Sequence, residues 1–173
     1  SRSVRTVRRP PRSVESQARE TATIVAPTPQ RAPTTRIISP FVFGAVEAAG
    51  VSACATGGAI TAELADLSSL AAAAAFAGRF AATHDRLDIL VHNAGALTHE
   101  LTRTSEGNEV TLATQVLAPF LLTTALRPLL EAAAPSRVIL VASGGMYTVP
   151  LDVAALEPEP AAYDGVKAYA RCK

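Results

Sequence analysis

Leu87-Asp88-Ile89-Leu90-Val91-His92-Asn93-Ala94-Gly95 is the stretch from which the fold is read. Leu87 to Val91 is a short, mostly apolar run, and small and polar residues end it. Such a run reads as a buried strand followed by a turn. The same unit recurs on both sides. Arg137 to Ala142 is apolar after its first residue and ends at Ser143. Ile60 to Ala65 ends at Asp66. Ile37 to Phe43 is a further candidate strand, interrupted by Pro40, and Thr21 to Ala26 could imitate another. Helical stretches lie between. Ser68 or Ser69 can cap a helix over about residues 70–83, with Phe76 and Phe80 on one face. Residues 44–55 could form a helix leading to the turn at Gly57-Gly58. Residues 106–133 contain a long helix, which Pro119 should kink. Strands alternating with helices predict an α/β fold built on a doubly wound parallel sheet. The last helix should begin near Asp164, after a loop from Gly144 to Ala162.

The bulk numbers narrow the function. A chain of 173 residues is one domain's worth, and 16 basic against 15 acidic residues leave no net field for nucleic acid or a membrane surface. No apolar run is long enough to span a bilayer. Cys54 and Cys172 form neither a disulfide framework nor a metal-ligand spacing, and they suit a reducing compartment. Residues 1–36 differ from the rest, with eight arginines, five prolines and only Glu15 and Glu20 as acids. That composition predicts a disordered basic leader over 1–36, followed by the folded domain over 37–173. Arg-rich, acid-poor N-termini also describe organelle import signals, so the expected location is cytoplasmic, with import as the alternative. The only methionine is Met146, and the chain is expected to be a fragment, a processed form or the product of a faulty gene model.

Near the end the chain reads Tyr163-Asp-Gly-Val-Lys167-Ala-Tyr169-Ala-Arg-Cys-Lys173, two overlapping Tyr-x-x-x-Lys patterns. Tyr and Lys at i, i+4 share one helix face. An ammonium there favours the phenolate of a tyrosine whose reference pKa is about 10, so the phenol can trade protons nearer neutrality. Ser143 at a strand's carboxyl end lies where open α/β sheets bind ligands. Taken singly, Ser143 is a turn serine, Asn93-Ala94-Gly95 a strand-to-loop turn and Asp66 a helix cap. Their order is the stronger signal: Asp-Leu-Ser, Asn-Ala-Gly, Ser, then Tyr-x-x-x-Lys, three strand ends and a helix.

That constellation, over about residues 44–173, resembles the short-chain dehydrogenase/reductase family, and within it the members similar to retinol dehydrogenases and to dehydrogenase/reductase member 12. The resemblance implies a Rossmann-like sheet, here incomplete, and an NAD(P)-dependent oxidoreductase that moves a hydride between NADP or NAD and an alcohol or carbonyl substrate. It implies Tyr169 as general acid/base, Lys173 as the group that lowers its pKa and holds the nicotinamide ribose, and Ser143 as the residue that positions the substrate oxygen. Asp66 and Leu67 would lie by the adenine, and Asn93, Ala94 and Gly95 would line the cofactor. No metal is implied. Tyr169 is preferred to Tyr163 because Ser143 precedes it by 26 positions, which suits these subfamilies, whereas the separation from Tyr163 is 20. The central and catalytic helices often form dimer interfaces in the family, so a homodimer is a further expectation.

The sequence departs from the pattern in three places. The glycine-rich phosphate cradle, Thr-Gly-x-x-x-Gly-x-Gly, is not at its required place, and Thr56-Gly57-Gly58 comes too late for it. NAD(P) binding by this chain is therefore expected to be weak, and the strand that bridges the two halves of the family's sheet is expected to be missing. Gln115 stands where the family usually has a proton-relay asparagine. Lys173 is the last residue, where the family continues. A non-catalytic remnant or interaction protein is thus the alternative reading. An acyl-transfer hydrolase using Ser143 is a third, but none of His84, His92 and His99 sits in a triad context.

Overall fold

A computed structural model describes residues 22–26, 37–41 and 61–173. The sheet has five strands: β1 (Ala22–Ala26), β2 (Ile37–Phe41), β3 (Thr61–Leu64), β4 (Ile89–His92) and β5 (Arg137–Leu140). Their spatial order is β3-β1-β2-β4-β5. β2, β4 and β5 run parallel. β1 departs from the expected parallel sheet, because it pairs antiparallel with both β2 and β3. Its connection to β2, residues 27–36, is shorter than the dozen or so residues that a parallel crossover needs, so the chain turns back on itself.

Two further expectations change here. Ala22–Ala26 lies in the stretch assigned to the basic leader, yet its Thr23-Ile24-Val25 segment is β-branched and takes a place inside the sheet. The missing bridging strand is also supplied. β2 and β1 together stand between β4 and β3, so the backbone groups of β4 are paired on both sides. Pro40 does not break β2. The helix expected over 44–55, the Gly57-Gly58 turn and Cys54 lie outside the described residues.

Helix α1 (Leu70–Thr83) begins at Ser69, whose hydroxyl accepts from the Ala72 amide at 3.2 Å. The other free amides of its first turn are met by Glu106 from a distant loop, with Oε2 at 2.9 Å from the Leu70 nitrogen and Oε1 at 3.1 Å from that of Ala71. Those amide hydrogen bonds hold the Glu106 carboxyl below its ordinary pKa. Phe76 and Phe80 point inward, fully buried, with ring centroids 6.2 Å apart. They share the core with Leu67, Leu87, Leu90, Leu122, Leu126 and Leu130.

The long central helix, α2, covers residues 110–125 and is not uniform. Val110–Leu112 is α, Ala113–Leu117 is a π turn, and Ala118–Ala125 is α again. Pro119 has no N–H to return to the preceding turn, so the distortion falls upstream of it, and the Ala118 amide reaches back five residues to the Ala113 carbonyl. A short α3 (Arg127–Ala132) follows, and its Leu129 carbonyl accepts from the Leu87 amide at 2.9 Å, fixing the entry to β4. The chain closes with α4 (Gly165–Cys172), N-capped by Asp164, whose Oδ1 accepts from the Val166 and Lys167 amides at 3.1 Å each. β5 pairs with β4 alone among the described residues, and Val138, Ile139, Leu140 and Val141 are all exposed, with Phe120 also exposed on α2.

Candidate active site

β4 and β5 are in register from Ile89 opposite Arg137 to His92 opposite Leu140. The Val141 amide extends the ladder by donating to the His92 carbonyl at 2.9 Å. Asn93-Ala94-Gly95 and Ala142-Ser143 therefore leave the sheet side by side, at its carboxyl edge. Ser143 caps a 3₁₀ turn (Gly144–Thr148), its hydroxyl accepting from the Gly145 amide at 3.2 Å. That turn packs against α4.

α4 sends Lys173 back over this edge. Its Nζ donates to the Ala94 carbonyl at 3.1 Å and to the Val141 carbonyl at 3.3 Å, so one ammonium ties the two strand ends together. An ammonium has three donors. The third meets no protein acceptor among the described residues. Burial holds the Lys173 pKa below its ordinary value. Gly95 leaves room for this arrangement, since a Cβ there would lie 3.0 Å from both Cε and Nζ of Lys173 and the ammonium would have to give way slightly. Tyr169 sits one turn earlier on α4, half-buried, and its backbone carbonyl accepts from the Lys173 amide at 3.1 Å. Its hydroxyl has no protein partner among the described residues.

Gln115 faces the same place from within the π turn. Its Nε2 donates to the Ala96 carbonyl at 2.9 Å, while its buried Oε1 has no partner. With His92, Ala94, Val141, Cys172 and Lys173 it lines a cleft of about 50 Å³, room for a few water molecules. Burial pushes the Cys172 thiol up to about 12, so it is no nucleophile.

His92 is nearly buried, at 5% exposed. Its Nε2 lies 2.8 Å from the Thr123 hydroxyl, which itself donates to the Pro119 carbonyl at 2.8 Å. The hydroxyl's one proton is thus spent, so Nε2 carries the imidazole hydrogen and Nδ1 is a bare, buried acceptor with no partner. Burial lowers the His92 pKa to about 4. An unfolded histidine titrates near 6.5, so the folded form favours the neutral ring. The stabilisation is full above about pH 6.5 and is lost as the pH falls towards 4, about 3 kcal/mol in all. Urea unfolding at pH 7.5 and 4.5 should show this loss, and His92→Gln should remove it. An unchanged pH dependence in that variant would refute the assignment.

The remaining sequence-selected residues are placed differently. The Asp66 Oδ1 is taken by the amide and hydroxyl of Ser68, at 2.9 and 2.6 Å. The Leu67 side chain is in the core, at 1% exposed, so only its backbone could reach a ligand. The asparagine of Asn93-Ala94-Gly95 is half-buried at the strand end. Tyr163 precedes α4 and turns away from Lys173. Its hydroxyl lies 2.6 Å from the Thr98 Oγ1 and donates to the Glu109 Oε1 at 3.3 Å. Burial raises the Tyr163 pKa. Glu109 and Thr98 escaped the sequence reading. A glutamate reads as surface, and nothing local marks one that is wholly buried.

A family model described as short chain dehydrogenase matches residues 44–154, more than half of the chain. The chain belongs to the short chain dehydrogenase family. Human dehydrogenase/reductase SDR family member 13 is 46% identical over 92 residues, which are 53% of this chain and 24% of that protein. Mouse retinol dehydrogenase 14 is 36% identical over 97 residues, 56% of this chain and 29% of that one. A solved structure from Mycobacterium paratuberculosis is similar with a TM-score of 0.53 at 26% identity, covering 63% of this chain and 38% of its own. The chain thus spans about a quarter of the curated short chain dehydrogenase relatives it matches. The matched segment includes β3 and also β4 and β5, the two strands whose ends form the cleft's edge.

Proposed function

We propose that this chain carries the proton-transfer side of an NAD(P)-dependent oxidoreductase acting on alcohol or carbonyl substrates. The observation that supports it best is Lys173, drawn by α4 onto the carbonyls of Ala94 and Val141 at the sheet's carboxyl edge. The nicotinamide end of a dinucleotide fits this place. Gly95 keeps the backbone bare, Lys173 has a donor in hand, and the orphaned Gln115 Oε1 offers an acceptor. The sequence carries no glycine-rich phosphate cradle at its required place, so binding of the dinucleotide is expected to be weak.

A bound nicotinamide dinucleotide would supply or accept the hydride. Tyr169 would give its phenolic proton to the substrate oxygen in reduction and take it back in oxidation. Lys173, one turn on, would stabilise the phenolate by its charge and hydrogen-bond the ribose. Ser143 would hold the substrate oxygen. Gln115 would hold water in the cleft through Oε1, extending the route by which the proton returns to solvent. Asp66, Asn93 and the Leu67 backbone complete the proposed cofactor contacts, on a dinucleotide-binding unit over 37–173. Pairing of two copies through α2 and α4, and organelle import through the basic N-terminus, are further parts of this reading.

The test follows the absorbance of NADPH and NADH, each at millimolar concentration, against a panel of aldehydes and ketones. Turnover with at least one pair is expected. A protein that binds neither nucleotide and turns over none of the panel would overturn the proposal. It would favour instead a non-catalytic interaction protein, the reading that the exposed apolar residues of β5 suit.

A further inference from the structure

The buried cluster around Glu109 does not line the cleft and supplies no proton to the transfer described above. Glu109 is wholly buried, at 0% exposed. It is the N-cap of α2, and its Oε2 accepts from the Leu112 amide at 2.8 Å. Its Oε1 accepts from the Tyr163 hydroxyl, and that phenol oxygen in turn meets the Thr98 hydroxyl. Its own amide donates to the Glu157 Oε1 at 3.0 Å, and the Glu157 Oε2 is paired with Arg103 at 2.7 Å. Two residues past Tyr163, Gly165 opens α4 in contact with the Thr98 carbonyl.

Glu109 and Tyr163 together therefore join three segments. These are the start of α2, which leads within six residues to Gln115, the start of α4, which leads to Tyr169 and Lys173, and the loop that runs on from Asn93-Ala94-Gly95 to Thr98. A wholly buried carboxyl group is costly unless its oxygens are met, and here each oxygen has a donor on a different helix start.

We propose that Glu109 is a positioning residue, a clamp that sets α4 against α2 so that Lys173 reaches the Ala94 and Val141 carbonyls. This rests on the oxidoreductase reading for its kinetic consequence but not for its structural one. The Glu109→Ala variant leaves the Tyr163 hydroxyl and the Leu112 amide without their acceptor. α4 then loses its lateral tie, and the reacting groups shift by a fraction of an ångström or more. Glu109→Gln keeps an oxygen for the Leu112 amide and an NH₂ for the phenol oxygen, so it retains the tie.

Two measurements test it. Hydrogen exchange of the α4 amides should quicken about tenfold or more in Glu109→Ala, while the amides around Phe76 and Phe80 in α1 keep their protection. Leu130→Ala, a core truncation outside the cluster, should not single out α4. In the hydride-transfer assay, Glu109→Ala should lower kcat about ten- to a hundredfold, with KM for the carbonyl little changed, and Glu109→Gln should recover most of it. Unchanged exchange in α4 overturns the clamp whatever the activity. Quickened α4 exchange with kcat unaffected overturns the positioning role. Should the protein show no hydride transfer at all, the exchange result alone decides the clamp, and the oxidoreductase reading fails separately.

Discussion

On the proposed oxidoreductase reading, Tyr169→Phe is expected to lower hydride-transfer turnover about 10²–10⁴-fold while the fold stays intact, because the proposed proton donor disappears and the ring does not. The phenol hydroxyl makes no hydrogen bond to a described residue, so its removal leaves no buried group unsatisfied. Lys173→Met should be about as severe, since the Ala94 and Val141 carbonyls lose their common donor and the proposed ribose contact goes with it. Tyr163→Phe should cost about tenfold, through the lost tie to Glu109 and not through a lost proton donor, because its hydroxyl faces Thr98 and Glu109. Steady-state kinetics on the three variants, with unfolding curves to confirm their fold, decide the matter. Loss of turnover in Tyr163→Phe with Tyr169→Phe active would transfer the acid/base role to Tyr163 and make Lys167 its partner.

Gly165→Ala should be strongly destabilising, although Ala is ordinarily the better helix residue. A Cβ at 165 would lie 1.6 Å from the Thr98 carbonyl oxygen and 2.8 Å from its carbon, and both are backbone atoms that cannot swing aside. Either α4 or the Thr98 strand-to-loop segment must move, at a cost of about 3 kcal/mol or more. Turnover should fall with it, since α4 carries Tyr169 and Lys173. Gly78→Ala is the control. Gly78 is exposed in α1 and a Cβ there meets nothing within 4 Å, so the same substitution should stabilise by about 0.5–1 kcal/mol. The unfolding midpoints should therefore move in opposite directions. A neutral Gly165→Ala would mean that α4 does not press on Thr98.

Much of the fold could be read from local patterns. β3, β4 and β5 are apolar runs closed by Asp66, Asn93 and Ser143, and each lies within a residue or two of where its run places it. Ser69 and Asp164 begin their helices because their short side chains can reach free amides. What escaped reading is what depends on distant partners. The place of β2 beside β4, and the reversed direction of β1, are settled by which strands meet, not by their composition. The π turn is betrayed only by Pro119, which marks a break without saying that the extra residue falls at Ala113–Leu117. The family pattern singles out Gln115, Lys173 and Gly95 one by one, and that they meet is settled by the fold. The engagement of Asp66 by Ser68 does not, since that pattern names a residue's role and not its nearest competitor. Glu109 and Tyr163 are 54 positions apart, and no short window connects them.

Strand β5 has a colloidal meaning. Val138, Ile139, Leu140 and Val141 form an exposed, mostly β-branched segment with no proline and no charge after Arg137, on a strand hydrogen-bonded along one side among the described residues. An extended segment of another molecule can lie along such an edge and complete its ladder, and apolar side chains then leave water together. The tendency grows with protein concentration, whereas folding stability does not. Solubility and stability are therefore separate quantities for this protein, and a charge placed at Leu140 should improve the first while leaving the second nearly unchanged.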